Sequence, residues 1–264
     1  MVAAASSLEA LNARIVACKR CERLRAYCAE VARVRRRAYA DCEYWGKPVP
    51  SFGDPRARVL VLGLAPGAHG SNRTGRMFTG DRSGDFLFAA LWRTGFANQP
   101  QSTARGDGLV LRGAFVSAAV RCAPPENRPT PTERDTCMDW TLGELQLLAG
   151  LQLVVCLGAF AWQAAWRVRA LLQADAQQSP ARGSDAGEPP ARRARRRAAP
   201  RFAHGAEVVD AADGCKAPFA MLGCFHPSQQ NTFTGRLTEP MIDAVLQRAR
   251  VLAGLTGTAG AQSR

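Results

Sequence analysis

A chain of 264 residues with 47% hydrophobic and 7% aromatic content has the length and make-up of one α/β domain with a full core, or at most two small ones. Its 35 Lys and Arg against 22 Asp and Glu leave a net charge of +13, a surface that attracts polyanions, nucleic acid first among them. No run approaches the ~20 apolar residues of a membrane span, and Glu9 and Arg14 stand where a signal peptide needs an apolar stretch, so the expected location is cytoplasmic, where nine cysteines read as metal ligands and buried thiols rather than bridges.

Residues 1–57 lean toward helix and carry Cys18-Lys19-Arg20-Cys21 and a basic stretch at 33–37. Residues 58–64, Arg-Val-Leu-Val-Leu-Gly-Leu, show no polar alternation, which predicts a strand buried on both faces of a parallel sheet. A glycine-rich loop spans 63–81, and helical spacing resumes near Asp81 with Phe86, Leu87, Ala90 and Leu91. Residues 114–120, 151–158 and 219–225 read as three more buried strands, the last ending at His226. Thr130, Pro131 and Glu133 form a helix-start signal of cap, first-turn proline and a glutamate reaching back. Ile242, Val245, Leu246 and Ala249 mark a C-terminal amphipathic helix with Thr238 as its cap.

This alternation predicts a single domain over 1–264, a three-layer α/β/α sandwich around a central four-stranded, mostly parallel sheet. Residues 174–206, rich in Gln, Ser, Pro, Gly, Ala and Arg, predict a disordered basic insertion, and 255–264 a flexible tail.

Cys18 and Cys21 bring two thiolates within reach of one metal centre. Cys122 follows the second strand and Cys137 lies in the first turns of the next helix. Pro124, Pro125, Pro129 and Pro131 stiffen the return between them. Four cysteines suit zinc or a [4Fe–4S] cluster equally. Cys156 and Cys224, inside apolar strands, read as small buried hydrophobes; Cys28 and Cys42 stay open as alternative ligands.

Loops at the C-terminal ends of parallel strands are where α/β proteins build sites. The glycines at 70 and 75 have the separation of a phosphate-binding loop, but Arg76-Met77 replaces the Lys-Ser/Thr that this mechanism requires, and no dinucleotide fingerprint is present. What is left is a loop open to close backbone approach, carrying Phe78 and Asp81. Pro227 biases His226 toward an extended backbone, which projects the imidazole over the same sheet edge. Asp81 reads equally as a helix cap and Asn127 as a turn residue.

Residues 63–81, the run Cys122-Ala123-Pro124-Pro125-Glu126-Asn127-Arg128-Pro129-Thr130-Pro131, and the run His226-Pro227-Ser228-Gln229-Gln230-Asn231-Thr232-Phe233-Thr234-Gly235-Arg236 resemble the family 5 (type B) uracil-DNA glycosylases. The resemblance covers the chain apart from its tails and 174–206. It implies a [4Fe–4S] cluster on Cys18, Cys21, Cys122 and Cys137, and a hydrolase that turns a damaged base out of DNA into a pocket. Asp81, His226 and Asn127 become the catalytic candidates: Asp81 orients water or stabilises the sugar cation, His226 donates toward uracil O2, and Asn127 contacts base or water. Ala65, Gly67, Ala68 and Phe78 line the base site, with Phe78 and His226 facing each other across a cavity sized for one nucleobase. Arg73, Arg76, Gln230, Asn231 and Arg236 meet the DNA, and Phe233 or Leu237 plugs the vacated stack. His204 belongs to the resemblance without an assigned role.

Family 4 enzymes carry a glutamate where this chain has Ala68 and a uracil-reading asparagine where it has Ala118. Those departures imply a range beyond uracil, with hypoxanthine and ethenocytosine as candidates. Lys19, Lys47 and Lys216 are the only lysines and none reads as a lyase nucleophile, so a monofunctional enzyme leaving an abasic site is expected. The expected partner is DNA containing uracil or other damaged bases, bound by a monomer away from any membrane, with the arginines of 192–197 as a nonspecific tether. A non-catalytic zinc- or iron–sulfur-bearing nucleic-acid binding protein is the alternative; it leaves the 63–81 loop and His226 unexplained.

Overall fold

The computed structural model describes residues 7–177, 198–209 and 218–255. In chain order these form α1 (Leu8–Val16), α2 (Glu22–Val34), β1 (Phe52–Gly53), β2 (Val59–Gly63), α3 (Ser71–Thr74), α4 (Arg82–Arg93), β3 (Ala114–Ala118), α5 (Pro131–Leu147), β4 (Leu153–Leu157), α6 (Ala159–Gln177), β5 (Glu207–Val208), β6 (Ala220–Cys224), α7 (Gln229–Phe233) and α8 (Glu239–Leu252). No helix among the described residues is long and apolar enough to cross a membrane.

The strand order is β1-β3-β2-β4-β6-β5. The four expected strands β3, β2, β4 and β6 pair in parallel and form the centre, and their residues alternate between two cores. Val59, Val61, Val116, Val155 and Leu222 face α4 and α8, whereas Leu60, Leu62, Phe115, Val154 and Met221 face α5 and α6. Burial on both faces is why these strands read as unbroken apolar runs. The sheet itself has six strands rather than four, because β1 and β5 add antiparallel edges of two residues each. Pairs that short carry no periodic signal, and short edge strands limit edge-to-edge association.

Local signals decide the helix starts. Thr130 and Glu133 form a reciprocal capping box, with Glu133 N donating to Thr130 Oγ1 at 3.2 Å and Thr130 N donating to Glu133 Oε2 at 2.8 Å. Thr238 occupies the cap position of α8, but its side chain makes no capping hydrogen bond.

Part of the stretch expected to be disordered, 174–206, is ordered in the structure. Helix α6 continues through residues 174–177, and 198–206 packs against the molecule. Trp162 Nε1 donates to Pro200 O at 2.7 Å, Phe202 lies edge-on to Trp162 at 6.0 Å, and Gly205 N donates to Gly223 O at 2.7 Å. Trp162 and Phe202 supply the apolar contact that composition alone concealed. The remainder, 178–197 with its arginine run, lies outside the described residues, as does 256–264 of the expected tail.

A buried polar network joins the sheet to α5. Arg121 and Glu144, each 1% exposed, pair at 2.7 Å, while Ser117 Oγ donates to Glu144 Oε2 at 2.9 Å and Ser51 bonds both partners. Such a pair resists the loss of either member because the other would be left as an unpaired buried charge.

Candidate active site

Strands β3 and β4 lie on opposite sides of β2, so the chain leaves the sheet centre in opposite directions and opens a crevice at the strands' C-terminal ends. A cavity of about 730 Å³ sits there, within the ~300–1,000 Å³ usual for small-molecule sites. The loop after β2 contributes Ala65, Gly67, Ala68, Phe78 and Asp81; the turn after β3 contributes Asn127; the segment after β6 contributes His226 and Gln230. All three catalytic candidates and all four base-site candidates therefore share one cavity.

Phe78 is 8% exposed and adopts φ = 52°, a left-handed backbone that is a true outlier for a bulky residue and costs of order 1–3 kcal/mol. Glycines make room for it. A Cβ at Gly63 would stand 2.5 Å from Phe78 Cζ, and one at Gly84 would overlap the Phe78 carbonyl. Asp81 is the N-cap of α4, accepting from Gly84 N at 3.1 Å. Burial raises its carboxyl pKa, while the backbone N–H groups of Gly84 and Ser83 hold it back. Gly67 and Gly70 let the carboxylate lie against their backbone: a Cβ at Gly67 would be 2.8 Å from Asp81 Oδ2, and one at Gly70 would overlap it.

His226 is half-buried, and burial pushes its pKa down to about 4, so the ring is neutral at pH 7. Its backbone is fixed by Asn231 Nδ2, which donates to His226 O at 2.8 Å, and by Ser228, which caps α7. The expected slot between Phe78 and His226 is not there. Their ring centroids are 6.1 Å apart at 33°, less than the ~7 Å that two successive van der Waals layers of ~3.5 Å require. The two rings are adjoining walls of the cavity, with no room for a third ring between them. Asn127 is exposed on the turn Pro125–Asn127, where it and Glu126 both have positive φ.

The profile described as Uracil DNA glycosylase superfamily matches residues 50–250, which hold this whole cavity. Type-5 uracil-DNA glycosylases of Mycobacterium bovis and Mycobacterium leprae are 48% and 46% identical over 252 residues, covering 95% of this chain and 84% and 98% of the relatives. That of Thermus thermophilus is 44% identical over 247 residues, covering 94% of this chain and 99% of the relative. The chain belongs to the uracil-DNA glycosylase superfamily.

Several residues expected at the DNA of this glycosylase fold are placed elsewhere. Arg76 is 7% exposed and doubly paired with Asp107 at 2.5 and 2.8 Å, so its charge is neutralised inside the protein. Arg73 donates to His69 O at 2.8 Å and Gly80 O at 2.9 Å and lies 4.1 Å from the Tyr39 ring centroid; it organises the loop. Asn231 is committed to the His226 backbone. Leu237 is 1% exposed and belongs to the core, which leaves Phe233, 67% exposed, as the free apolar side chain of that segment. Arg236 is exposed over Phe225 at 4.7 Å, outside the cavity lining. His204 has a structural place, accepting from Phe225 N at 3.2 Å and stacking on that ring at 5.0 Å. Sequence reasoning missed Arg82 and Ser83 in the cavity wall, although both follow Asp81 directly.

Cys18 and Cys21, at the α1–α2 junction, meet Cys122 and Cys137 in a third apolar cluster with Leu11, Ile15, Leu24 and Trp140. The Cys21 and Cys137 thiols are hydrogen-bonding neighbours, and Cys18 and Cys122 lie within their electrostatic reach. Cys28 is buried beside Cys122 and donates to Ala123 O at 3.6 Å, while Cys42 is half-exposed and Cys156 and Cys224 are buried in strands. Among the described residues no three His, Cys, Asp or Glu side chains gather round one point as ligands of a single ion. The nearby Arg20 favours thiolates at this place, whereas the apolar surroundings keep Cys122 and Cys137 protonated unless a metal group takes their charge.

Proposed function

We propose that the chain hydrolyses the N-glycosidic bond of uracil in DNA as a monofunctional glycosylase and leaves an abasic site. Superfamily membership and the relatives' type-5 names support the substrate. The convergence of Phe78, Asp81, Asn127 and His226 on one cavity is the observation that carries the chemistry.

A stacked base is out of reach, so the nucleotide is turned out into the cavity at a cost of a few kcal/mol. Phe78 receives the base by stacking, worth ~1–3 kcal/mol. As the C1′–N1 bond breaks, its electron pair leaves with the base and the sugar becomes cationic. Neutral His226 donates to uracil O2, a preplaced donor where negative charge develops. The Asp81 carboxylate faces the cation and orients a water, whose oxygen bonds to C1′ while its proton passes to Asp81. Asn127 holds the base or the water from the opposite rim. Phe233 fills the gap left in the stack, and Gln230, Arg128 and Arg236 meet phosphates, which position without reading sequence. Among the described residues Lys19 and Lys47 line no part of the cavity, in keeping with hydrolysis without a lyase step, and Lys216 lies outside the described residues.

Ala68 lines the cavity with a methyl group. A site lacking a fixed polar reader excludes other bases weakly, so hypoxanthine and ethenocytosine join uracil in the proposed range. Ala118 is buried at the end of β3 and its methyl group stops short of that lining. A [4Fe–4S] cluster is assigned to Cys18, Cys21, Cys122 and Cys137; when bound, it staples the N-terminal helices to the β3–α5 loop. A monomer in the cytoplasm, with the DNA it repairs, completes the reading.

Incubation with a uracil-containing oligonucleotide followed by alkali is expected to cut the strand at uracil and to spare a thymine control. Intact strands would leave a non-catalytic nucleic-acid binder. Single-turnover excision from hypoxanthine and ethenocytosine duplexes is expected at measurable rates; strict uracil selectivity sinks the broader range. Anaerobic protein is expected to show iron, sulfide and a broad visible band, whereas stoichiometric zinc would overturn the cluster.

A further inference from the structure

Beside the reaction cavity runs a second hollow of about 450 Å³ that shares His69, Asp81 and Arg82 with it. Its other walls include Arg36, Tyr39 and Phe233. The chemistry of this hollow is mainly cationic and aromatic, with Asp81 the one acid in its wall among the described residues. Arg36 and Arg82 make no ion pair among the described residues. The Arg82 guanidinium lies 5.2 Å from the Phe233 ring centroid, and no core packing accounts for that 67% exposed ring. On the other side, Arg73 lies 4.1 Å from the Tyr39 ring centroid while bonding two carbonyls of the glycine-rich loop, so the aromatic wall is held before any ligand arrives. His69 is fixed by a 3.0 Å hydrogen bond between its Nδ1 and Tyr44 Oη, which leaves its other ring nitrogen for a ligand. Arg36 and Tyr39 precede residues 50–250, so the N-terminal segment adds this wall to the part matched by the superfamily.

We propose that this hollow is a second nucleotide subsite, which binds the phosphate and base adjoining the extruded nucleotide on the same strand. The inference rests on the DNA-glycosylase reading of the neighbouring cavity. A shared wall sets the two hollows side by side, as successive nucleotides of one strand require. The intervening phosphate meets Arg82, His69 and Arg36, and the next base stacks on Tyr39. Two arginines with an aromatic platform are the recurring means of holding single-stranded nucleic acid without reading its sequence, and a wall fixed in advance lowers the ordering cost of binding.

The test uses equilibrium binding of fluorescent single-stranded oligonucleotides carrying 2′-fluorodeoxyuridine, which resists cleavage. A phosphate-flanked mononucleotide is compared with versions extended by one nucleotide on the 5′ or the 3′ side. One extension, on one side only, is expected to tighten binding about tenfold or more. Arg36→Ala, at an exposed site, and Tyr39→Ala are each expected to cut that gain to about twofold or less, with Tyr39→Phe restoring it. Arg36→Ala is also expected to lower the salt slope by about 0.7, as for one lost single-strand phosphate contact. An unchanged gain in both alanine variants, or a gain that appears only with a complementary strand, overturns the subsite. Uracil release from a long oligonucleotide is scored separately: release with an unchanged gain sinks the subsite alone, whereas no release with the variant effects intact sinks the uracil reading and leaves the subsite standing.

Discussion

Asp81 serves two purposes that one substitution separates. Its carboxylate caps α4 through Gly84 N, and it faces the cavity as a buried charge whose pKa burial raises. Asparagine caps about as well as aspartate, so Asp81→Asn keeps the helix start and removes the charge. Uracil release should fall about 10²–10⁴-fold, while the melting temperature holds or rises because no ionised group is left away from water. Retained excision with a lower melting temperature would reverse the assignment. His226 makes the complementary case in pH. Its folded pKa is about 4 against an ordinary 6.5, so between those values the unfolded chain binds a proton that the folded chain does not. Stability therefore falls as pH drops through that window, and His226→Gln should flatten the fall in acid melts. The excision rate should show no histidine inflection between about pH 5 and 8, and His226→Ala should cost about 10²–10³-fold. Both residues are legible from sequence because each has a local signature, a helix start after Gly80 and a strand end before Pro227. Arg76 has none. Its partner Asp107 is 31 residues away, and no local pattern marks a loop arginine as buried.

Among the elements, the four central strands are legible because burial on both faces writes them as apolar runs, and α5 because its capping box is entirely local. The edge strands β1 and β5 are not, since two residues hold no period and their pairing depends on distant partners. The loop between β2 and α4 is half legible. Its glycines announce close approach, but the sequence does not say to what. The structure answers for Gly63, which makes room for the Phe78 ring, and for Gly70, which makes room for the Asp81 carboxylate. Alanine at each should therefore fail differently. Gly63→Ala displaces the ring and should appear mainly as weaker binding of uracil-containing DNA, together with an overpacking cost of about 1–3 kcal/mol. Gly70→Ala displaces the carboxylate and should lower the single-turnover rate more than the affinity. Identical loss of affinity and rate in both variants would remove the distinction.

Across the whole molecule, the positive charge has two addresses. Part of it lines the site as Arg36, Arg82 and Arg128, and part lies in 178–197, where six arginines stand against Asp185 and Glu188. Deleting 178–197, and not the wider 174–206 that includes packed residues, should reduce the salt slope of DNA binding by several units of roughly 0.9 per lost phosphate contact. Single-turnover excision at saturating enzyme should persist. Lost excision with an unchanged slope would place that segment in the chemistry instead. The left-handed backbone at Phe78 carries a consequence of another kind, one for evolution. Glycine or asparagine would occupy that position with less strain, but either would leave a cavity where the buried ring stands, at about 3–5 kcal/mol for a lost core phenylalanine. Thermal selection and base recognition therefore pull the same way at 78, and a lineage freed from base damage would have no reason of stability to give the ring up.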